Sequence, residues 1–108
     1  MNVLQEISTD ELLRRMDEGE QFHLIDIRED FEVATGMIPG AVHIPMNTVP
    51  ARLEEFDPET EYVLICRAAN RTRALGDYMA ARGFKVAHMT GGMIEWRGEV
   101  VIPTGLDE

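Results

Sequence analysis

The chain has 108 residues, 44% of them apolar, which is the size and composition of one domain with a continuous core. Its 20 acidic and 10 basic side chains give a formal net charge of −10 at pH 7, so binding to nucleic acid or to an anionic membrane is disfavoured. The only cysteine, Cys66, excludes an internal disulfide, and the sequence has no second thiol or histidine cluster at the spacing of a zinc or iron–sulfur site.

No stretch approaches the roughly 20 consecutive apolar residues that a membrane-spanning helix needs, and residues 1–10 lack the basic and apolar regions of a secretion signal. We therefore expect a cytoplasmic protein that binds neither membrane nor nucleic acid and holds no metal and no cofactor. One domain is expected over residues 1–108, with a core from about residue 7 to residue 103 and a loose acidic tail at residues 104–108.

The predicted elements alternate between strands and helices along the chain. A candidate edge strand at residues 3–7 is followed by a capping-box pattern at residues 8–11 and by apolar residues at helical spacing, and Gly19 ends this first helix. Short apolar runs predict further strands at residues 22–27, 41–44, 62–66 and 85–89. Helical patterns lie between or after them, at residues 30–35, 49–56, 72–82 and 93–97. This alternation predicts an α/β fold with a parallel sheet covered by helices on both faces.

One edge of this predicted sheet collects the residues of chemical interest. In an open parallel sheet, ligands bind beyond the carboxyl ends of the strands, where loops and helix starts converge. Three segments occupy such ends: residues 26–28, Cys66 and residues 88–92. We expect these segments to surround one pocket.

Cys66 stands where a buried strand gives way to a short loop and a helix start. A lone cysteine in that place is more often inert packing than a nucleophile, because free cysteine is among the most buried residue types. The composition of the loop favours the reactive alternative. Ala68 and Ala69 are small, Asn70 tolerates positive φ, and Arg67 and Arg71 flank the sulfur. Backbone N–H groups and a positive helix end would then favour a thiolate and a bound anion. The arginines, together with Arg73, could equally be solvated residues that balance nearby acids.

The three histidines lie in or at the ends of predicted strands, where a histidine is more often a core or surface group than a catalyst: His23, His43 and His88. No cysteine–histidine pair can be read from the spacing. A reaction that needs only a thiolate and a bound anion would not require such a base, whereas amide or ester hydrolysis usually would. The pattern therefore disfavours a protease or a thioesterase.

Three parts of the chain resemble the sequence motifs of the rhodanese family. The amino-terminal signature is matched by residues 24–29, by Glu32 and by residues 36–41 and 44–45. Residues 66–72, Cys-Arg-Ala-Ala-Asn-Arg-Thr, are similar to the active-site loop of the family, and residues 91–96 resemble its Gly-Gly motif and following tryptophan. The resemblance keeps the order and spacing of the motifs from about residue 7 to residue 103.

The resemblance implies a single rhodanese-like domain with about five strands in a mostly parallel sheet. It also implies a sulfurtransferase that takes sulfane sulfur from a small anionic donor such as thiosulfate onto Cys66 as a persulfide, and passes it to cyanide or a thiol. Arg67 and Arg71 would bind the donor, within a substrate-binding loop of Arg67, Ala68, Ala69, Asn70, Arg71 and Thr72. Asp26 and Arg28 would hold this loop from beneath through an ion pair, with Glu32 as a further partner.

Two other functions stay open. A non-enzymatic sulfur-relay or docking module would use the same residues with a protein as sulfur donor or acceptor. A phosphatase or arsenate reductase of the related fold would carry a Cys-x5-Arg loop, whereas the six residues from Cys66 to Arg71 give Cys-x4-Arg. Two residues depart from the family pattern, which often has glycine at Ala69 and histidine at Met37. If position 69 requires positive φ, the alanine Cβ costs roughly 1 kcal/mol.

Overall fold

The apolar runs of the sequence form the strands β1 Gln5–Ser8, β2 His23–Asp26, β3 Val42–His43, β4 Glu61–Ile65 and β5 Lys85–Thr90. They make one five-stranded sheet in the order β1-β5-β4-β2-β3, and every neighbouring pair is parallel. The computed structural model describes residues 2–103. The predicted α/β fold and parallel sheet are confirmed, and the candidate edge strand forms as β1. The predicted acidic tail at residues 104–108 lies outside the described residues.

The connections contain both α-helices and 3-10 turns. The α-helices are α1 Thr9–Asp17, α2 Asp30–Val33 and α3 Asn70–Ala81, and the 3-10 turns are Met46–Thr48, Pro50–Glu55 and Met93–Glu95. The helical patterns at residues 49–56 and 93–97 thus form the 3-10 turns Pro50–Glu55 and Met93–Glu95 rather than α-helices. In the first, Arg52 leaves the helical region with φ −118° and ψ 16°, and in the second the backbone is extended at Trp96. No helix within residues 2–103 is long and apolar enough to cross a membrane.

The start of α1 follows from its capping residue. Ser8 has an extended backbone, and its Oγ accepts a hydrogen bond from the Glu11 N–H at 3.0 Å. The Glu11 carboxylate pairs with Arg14 at 2.7 Å. Of the two hydrogen bonds of the predicted capping box, the structure therefore has the one accepted by the serine side chain. Strand β1 therefore passes directly into α1, which buries Leu12.

Alternate residues of the strands divide the core between the two faces of the sheet. Leu64 and Cys66 face the layer that contains α3. Val63 and Ile65 face the other layer, to which α1 contributes Leu12. Helices therefore cover both faces as predicted, and the pleat of β4 places Cys66 beneath α3.

The carboxyl ends of the central strands are tied together by backbone hydrogen bonds. Asp26 pairs with Ile65 at the ends of β2 and β4, and the Ile27 N–H donates to the Ile65 carbonyl at 2.9 Å. Beyond β5, the Met93 N–H donates to the Cys66 carbonyl at 2.9 Å. These bonds hold the ends of β2, β4 and β5 next to one another at the edge of the sheet that carries Cys66.

Candidate active site

The loop from Cys66 to Ala69 joins β4 to α3 and carries the chain around the sulfur of Cys66. Ala69 has a left-handed backbone, with φ 74° and ψ −5°, and is the one non-glycine residue with positive φ in residues 2–103. This turn directs the Ala69 N–H at Cys66 Sγ, 3.0 Å away. A backbone N–H aimed at sulfur is the kind of donor that stabilises a thiolate.

Gly92 lies directly against this loop. The N–H groups of the next two residues, Met93 and Ile94, donate to the carbonyls of Cys66 and Arg67 at 2.9 and 3.0 Å. A Cβ on Gly92 would lie 2.2 Å from the Arg67 carbonyl oxygen, and Gly92 has a φ of 65°. No other residue fits there without displacing the loop, so the Gly-Gly motif fixes the position of the loop backbone.

Cys66 is recessed beneath the loop, with 1% of its surface exposed. The hydroxyl of Thr72, on the first turn of α3, lies 3.5 Å from Cys66 Sγ. The first N–H groups of an α-helix have no intrahelical acceptor, so α3 presents N–H donors and the positive end of its dipole at the loop. An anion attached to the Cys66 sulfur would therefore meet several donors.

Arg71, at the start of α3, forms a bidentate ion pair with Glu32 of α2, with N–O distances of 2.7 and 2.8 Å. The hydrogen bonds from Arg71 lower the pKa of Glu32 to about 2, and the Glu32 carboxylate raises the pKa of Arg71. The Arg71 side chain keeps 33% of its surface exposed, so it can still reach a ligand. Arg67 and Ala68 of the loop are exposed, as is Asn70 at the start of α3.

Asp26 and Arg28 form a buried ion pair at the end of β2. Arg28 Nε and Nη2 donate to Asp26 Oδ1 and Oδ2 at 2.9 and 2.8 Å, and Nη2 also donates to the Gly36 carbonyl at 2.9 Å. The pair anchors the segment that carries α2. Glu32, expected as a further partner of this pair, hydrogen-bonds Arg71 instead, and it feels the Arg28 charge only at longer range.

The family profile of the rhodanese-like domain matches residues 8–99. The chain belongs to this family. "Putative sulfurtransferase YtwF" of Bacillus subtilis is 46% identical over 96 residues, covering 89% of this chain and 93% of that protein. A protein named "Sulfurtransferase" from Allochromatium vinosum is 33% identical over 107 residues, covering 95% of this chain and 100% of that protein. The crystal structure of a rhodanese-like domain protein from Staphylococcus aureus aligns with a TM-score of 0.86 at 33% identity, covering 94% of this chain and 100% of that one.

The sequence places residues 88–92 of this rhodanese-like domain at the pocket but interprets His88 as a core or surface group, and it does not predict the contact that His88 makes in the structure. His88 lies on β5, is fully buried, and has Nδ1 2.8 Å from Thr72 Oγ1. Alternation along β5 could have indicated this position. Val86 packs in the core layer that contains α3, and His88, two residues later in the strand, points to the same face of the sheet. The alternation does not predict a contact with Thr72 until it is known which face of the sheet α3 covers.

A groove of about 750 Å³ lies at the opposite end of the sheet of the rhodanese-like domain. Its walls include His23, Tyr62 and Lys85, near the amino-terminal ends of their strands. Cys66 is not among the residues that line it, so this groove is separate from the candidate active site.

Proposed function

We propose that this rhodanese-like domain is a sulfurtransferase in which Cys66 accepts sulfane sulfur as a persulfide, with thiosulfate as donor and cyanide or a thiol as acceptor. The observation that carries the proposal is the Ala69 N–H, held 3.0 Å from Cys66 Sγ by a left-handed turn. A cysteine that only fills space would need neither the turn nor the polar partners. Relatives whose names describe sulfurtransferases, 46% and 33% identical to this chain, support the same chemistry.

The reaction consists of two displacements at sulfur. The Cys66 thiolate attacks the outer sulfur of thiosulfate, a bond forms between Sγ and that sulfur, and the S–S bond of the donor breaks with its electron pair leaving on sulfite. Cyanide then attacks the outer sulfur of the persulfide and departs as thiocyanate, while the electron pair of the Sγ–S bond returns to Cys66. Once the thiolate has formed, neither step transfers a proton, so the reaction needs no general base.

The loop and its arginines would hold the anions of this reaction. Thiosulfate carries two negative charges, which the N–H groups at the start of α3 would offset together with Arg67 and Arg71. Glu32 holds the Arg71 guanidinium in one orientation, since two hydrogen bonds join them. Arg67 is exposed and can meet the donor as it arrives.

The length of the loop favours sulfur over phosphate as the transferred group. The loop from Cys66 to Arg71 has six residues, one fewer than the corresponding loop of a Cys-x5-Arg phosphatase. A smaller loop brings its N–H groups closer to the Cys66 sulfur, so it fits the single outer sulfur of a persulfide better than a phosphoryl group attached at the same place. Hydrolysis of aryl phosphates is therefore not expected.

A relay that exchanges sulfur with a partner protein is the second candidate, and two exposed apolar side chains favour it. Phe31 and Ile94 have 75% and 62% of their surface exposed. Phe31 is adjacent to Glu32 in α2, and the Ile94 N–H binds the Arg67 carbonyl, so both flank the loop. Apolar groups beside a reactive loop suit the docking of another protein better than the binding of a small anion.

The test is intact-protein mass spectrometry after exposure to thiosulfate, combined with a thiocyanate assay. The protein should gain one sulfur atom, and cyanide should remove it as thiocyanate. Cys66→Ser should gain none. A sulfur adduct retained by Cys66→Ser, or neither adduct nor thiocyanate from the unsubstituted protein, would contradict the thiosulfate reaction. Persulfide formation with a protein persulfide donor alone would favour the relay.

The donor-binding role of the arginines is tested by the same assay. Arg71→Gln and Arg67→Gln should lower kcat/KM for thiosulfate by roughly tenfold or more, since each loses a charge-assisted contact to the donor. Arg82→Gln is the matched control, because Arg82 follows the last turn of α3 and stacks on Tyr78. It should leave kcat/KM unchanged.

A further inference from the structure

Cys66, Thr72 and His88 form a buried chain of polar contacts beneath the loop. Thr72 Oγ1 lies 3.5 Å from Cys66 Sγ, 3.0 Å from the Ala69 carbonyl oxygen and 2.8 Å from His88 Nδ1. Thr72 and His88 are completely buried. Up to three groups therefore compete for one hydroxyl hydrogen, and the state of His88 decides which of them can receive it.

A neutral imidazole carries a single proton, on Nδ1 or on Nε2. Burial lowers the pKa of His88, so the ring is neutral at pH 7. With the proton on Nε2, Nδ1 would accept the hydroxyl hydrogen of Thr72 and leave none for the sulfur. With the proton on Nδ1, His88 donates to Thr72 Oγ1, and the hydroxyl hydrogen can move between the Ala69 carbonyl oxygen and Cys66 Sγ.

The surroundings of Nε2 favour the second arrangement. Within residues 2–103, His88 Nε2 has no hydrogen-bond partner, and the Glu6 Oε2 atom of β1 lies 3.7 Å away. That oxygen already accepts a hydrogen bond from Arg73 Nη2 at 3.1 Å. The Arg73 charge opposes the attraction of the Glu6 carboxylate for a proton on Nε2. Because a buried N–H group without an acceptor is rarer than an acceptor without a donor, a lone pair fits this position better than a proton.

The charged groups around the ring come from two elements. Glu6 on β1 and Asp77 on α3 raise the pKa of His88, whereas Arg73 on α3 lowers it along with burial, which is the largest effect. On the sulfur side the nearby charge is Arg71, which also interacts with Cys66. None of these groups reaches the Thr72 hydroxyl, which His88 alone orients from the β5 side.

We infer that His88, protonated on Nδ1, is a positioning residue that keeps the Thr72 hydroxyl available to donate to the Cys66 sulfur in its thiolate and persulfide forms. The inference rests on the proposed role of Cys66 as nucleophile. When the sulfur is a thiol, the hydroxyl donates to the Ala69 carbonyl. When the thiol has lost its proton to solvent, the hydroxyl turns to the sulfur while His88 keeps the oxygen in place. His88 neither touches substrate nor takes the proton.

The test is the pH dependence of Cys66 alkylation by iodoacetamide, which reports on this sulfur alone because the chain has one cysteine. Thr72→Val should raise the midpoint of the pH–rate profile by about one pH unit, since a hydrogen bond to a charged group is lost. His88→Phe should raise it by a similar amount, and the double variant by no more than Thr72→Val alone. His88→Asn should return the midpoint most of the way to that of the unsubstituted protein, because its amide can donate from the place of Nδ1.

The matched control is His23→Phe, since His23 is an exposed histidine at the start of β2. It should leave the midpoint unchanged. An unshifted midpoint in a folded His88→Phe protein, or a shift that adds to that of Thr72→Val, would overturn the inference.

A second measurement needs no substitution and so cannot be obscured by misfolding. Nitrogen NMR of the unsubstituted protein should show His88 as the Nδ1–H tautomer throughout the pH range of the alkylation profile, and the Nε2–H tautomer would overturn the inference. Neither experiment uses thiosulfate. A failed sulfur-transfer assay and a failed positioning role are therefore distinguishable.

Discussion

Ala69 shapes the loop around Cys66 more directly than any neighbouring residue. Its φ of 74° lies in the left-handed region, where a Cβ costs about 1–2 kcal/mol. The bonds from the Ala69 N–H to Cys66 Sγ and from Thr72 Oγ1 to the Ala69 carbonyl offset this strain. Ala69→Gly should raise the free energy of unfolding by about 0.5–1 kcal/mol in a urea titration, because relief of strain exceeds the added entropy of an unfolded glycine.

The matched control for this substitution is Ala74→Gly. Ala74 is exposed within α3, where glycine relieves no strain. It should therefore lower the free energy of unfolding by about 1 kcal/mol. Equal losses in the two variants would mean that Ala69 carries no strain.

The ion pair between Glu32 and Arg71 makes part of the stability depend on pH. Arg71 lowers the pKa of Glu32 from its usual 4.5 to about 2. Because the folded value lies below the unfolded one, the contribution is complete above about pH 4.5 and is lost as the pH falls towards 2. Glu32→Gln should lower the free energy of unfolding at pH 7 by on the order of 1–3 kcal/mol, and the loss should shrink below pH 4.5. Urea titrations at several pH values measure both effects.

Glu55→Gln provides the comparison for this pair. Glu55 binds Arg52 with similar geometry, at 2.7 Å, but both side chains are exposed. Solvent and salt screen such a pair, so the substitution should change stability little at any pH. A Glu32→Gln loss that stays the same between pH 7 and pH 3 would rule out the ion pair as its cause.

At the scale of single residues, the sequence predicts the centre of the site better than its partners. Cys66 and Arg71 lie within one short loop, so their relation can be read from local spacing. Glu32 lies 39 positions away from Arg71 in the chain, and the sequence assigned it to the Asp26–Arg28 pair instead. Its true partner depends on how α2 and α3 approach each other, which local spacing does not encode.

At the scale of elements, the turn after β5 holds the loop in place. A Cβ on Gly92 would lie 2.2 Å from the Arg67 carbonyl oxygen, and the backbone there has positive φ. Gly92→Ala should lower the free energy of unfolding by about 3 kcal/mol or more, because overpacking adds to backbone strain. It should also slow the proposed formation of a persulfide at Cys66, since the loop must shift. Urea titration and mass spectrometry after brief exposure to thiosulfate measure the two effects.

Gly40→Ala is the control that adds backbone strain without a steric contact. Gly40 has a φ of +87°, but a Cβ added there would have nothing within 4 Å. Only backbone strain remains, so the expected loss is about 1 kcal/mol. If Gly92→Ala and Gly40→Ala cost the same, the contact with Arg67 would be unimportant.

Strands proved more predictable than the short helical connections. The apolar run at residues 85–89 predicted β5, which the structure gives as Lys85–Thr90. The run at residues 49–56 had helical spacing but forms the 3-10 turn Pro50–Glu55. Over fewer than three turns, apolar spacing of three to four residues fits both kinds of helix, and packing decides between them.

At the scale of the whole molecule, the order of the strands in the sheet determines contacts that local sequence patterns do not predict. The alternation of strands and helices predicted a parallel sheet whose carboxyl ends collect the chemical groups. It did not predict that β5 would lie between β1 and β4, which brings Glu6 beside His88 in the ladder. The contact of His88 with Thr72 depends on that order, because α3 packs over β4 and β5.

The net charge and the local arginines act on an approaching anion in opposite directions. At about 10 mM salt the Debye length is roughly 30 Å, well beyond the radius of gyration of 13.0 Å, so the net charge of −10 repels the anion as a whole. At about 150 mM it is near 8 Å, and mainly close groups such as Arg67 and Arg71 still act. The predicted quantity is the rate of Cys66 alkylation by iodoacetate divided by the rate with neutral iodoacetamide. This ratio should rise roughly two- to fivefold as the salt concentration increases over this range. The ratio cancels any effect of salt on the thiolate fraction. A ratio that falls with salt would mean that the arginines outweigh the acidic surface even at long range.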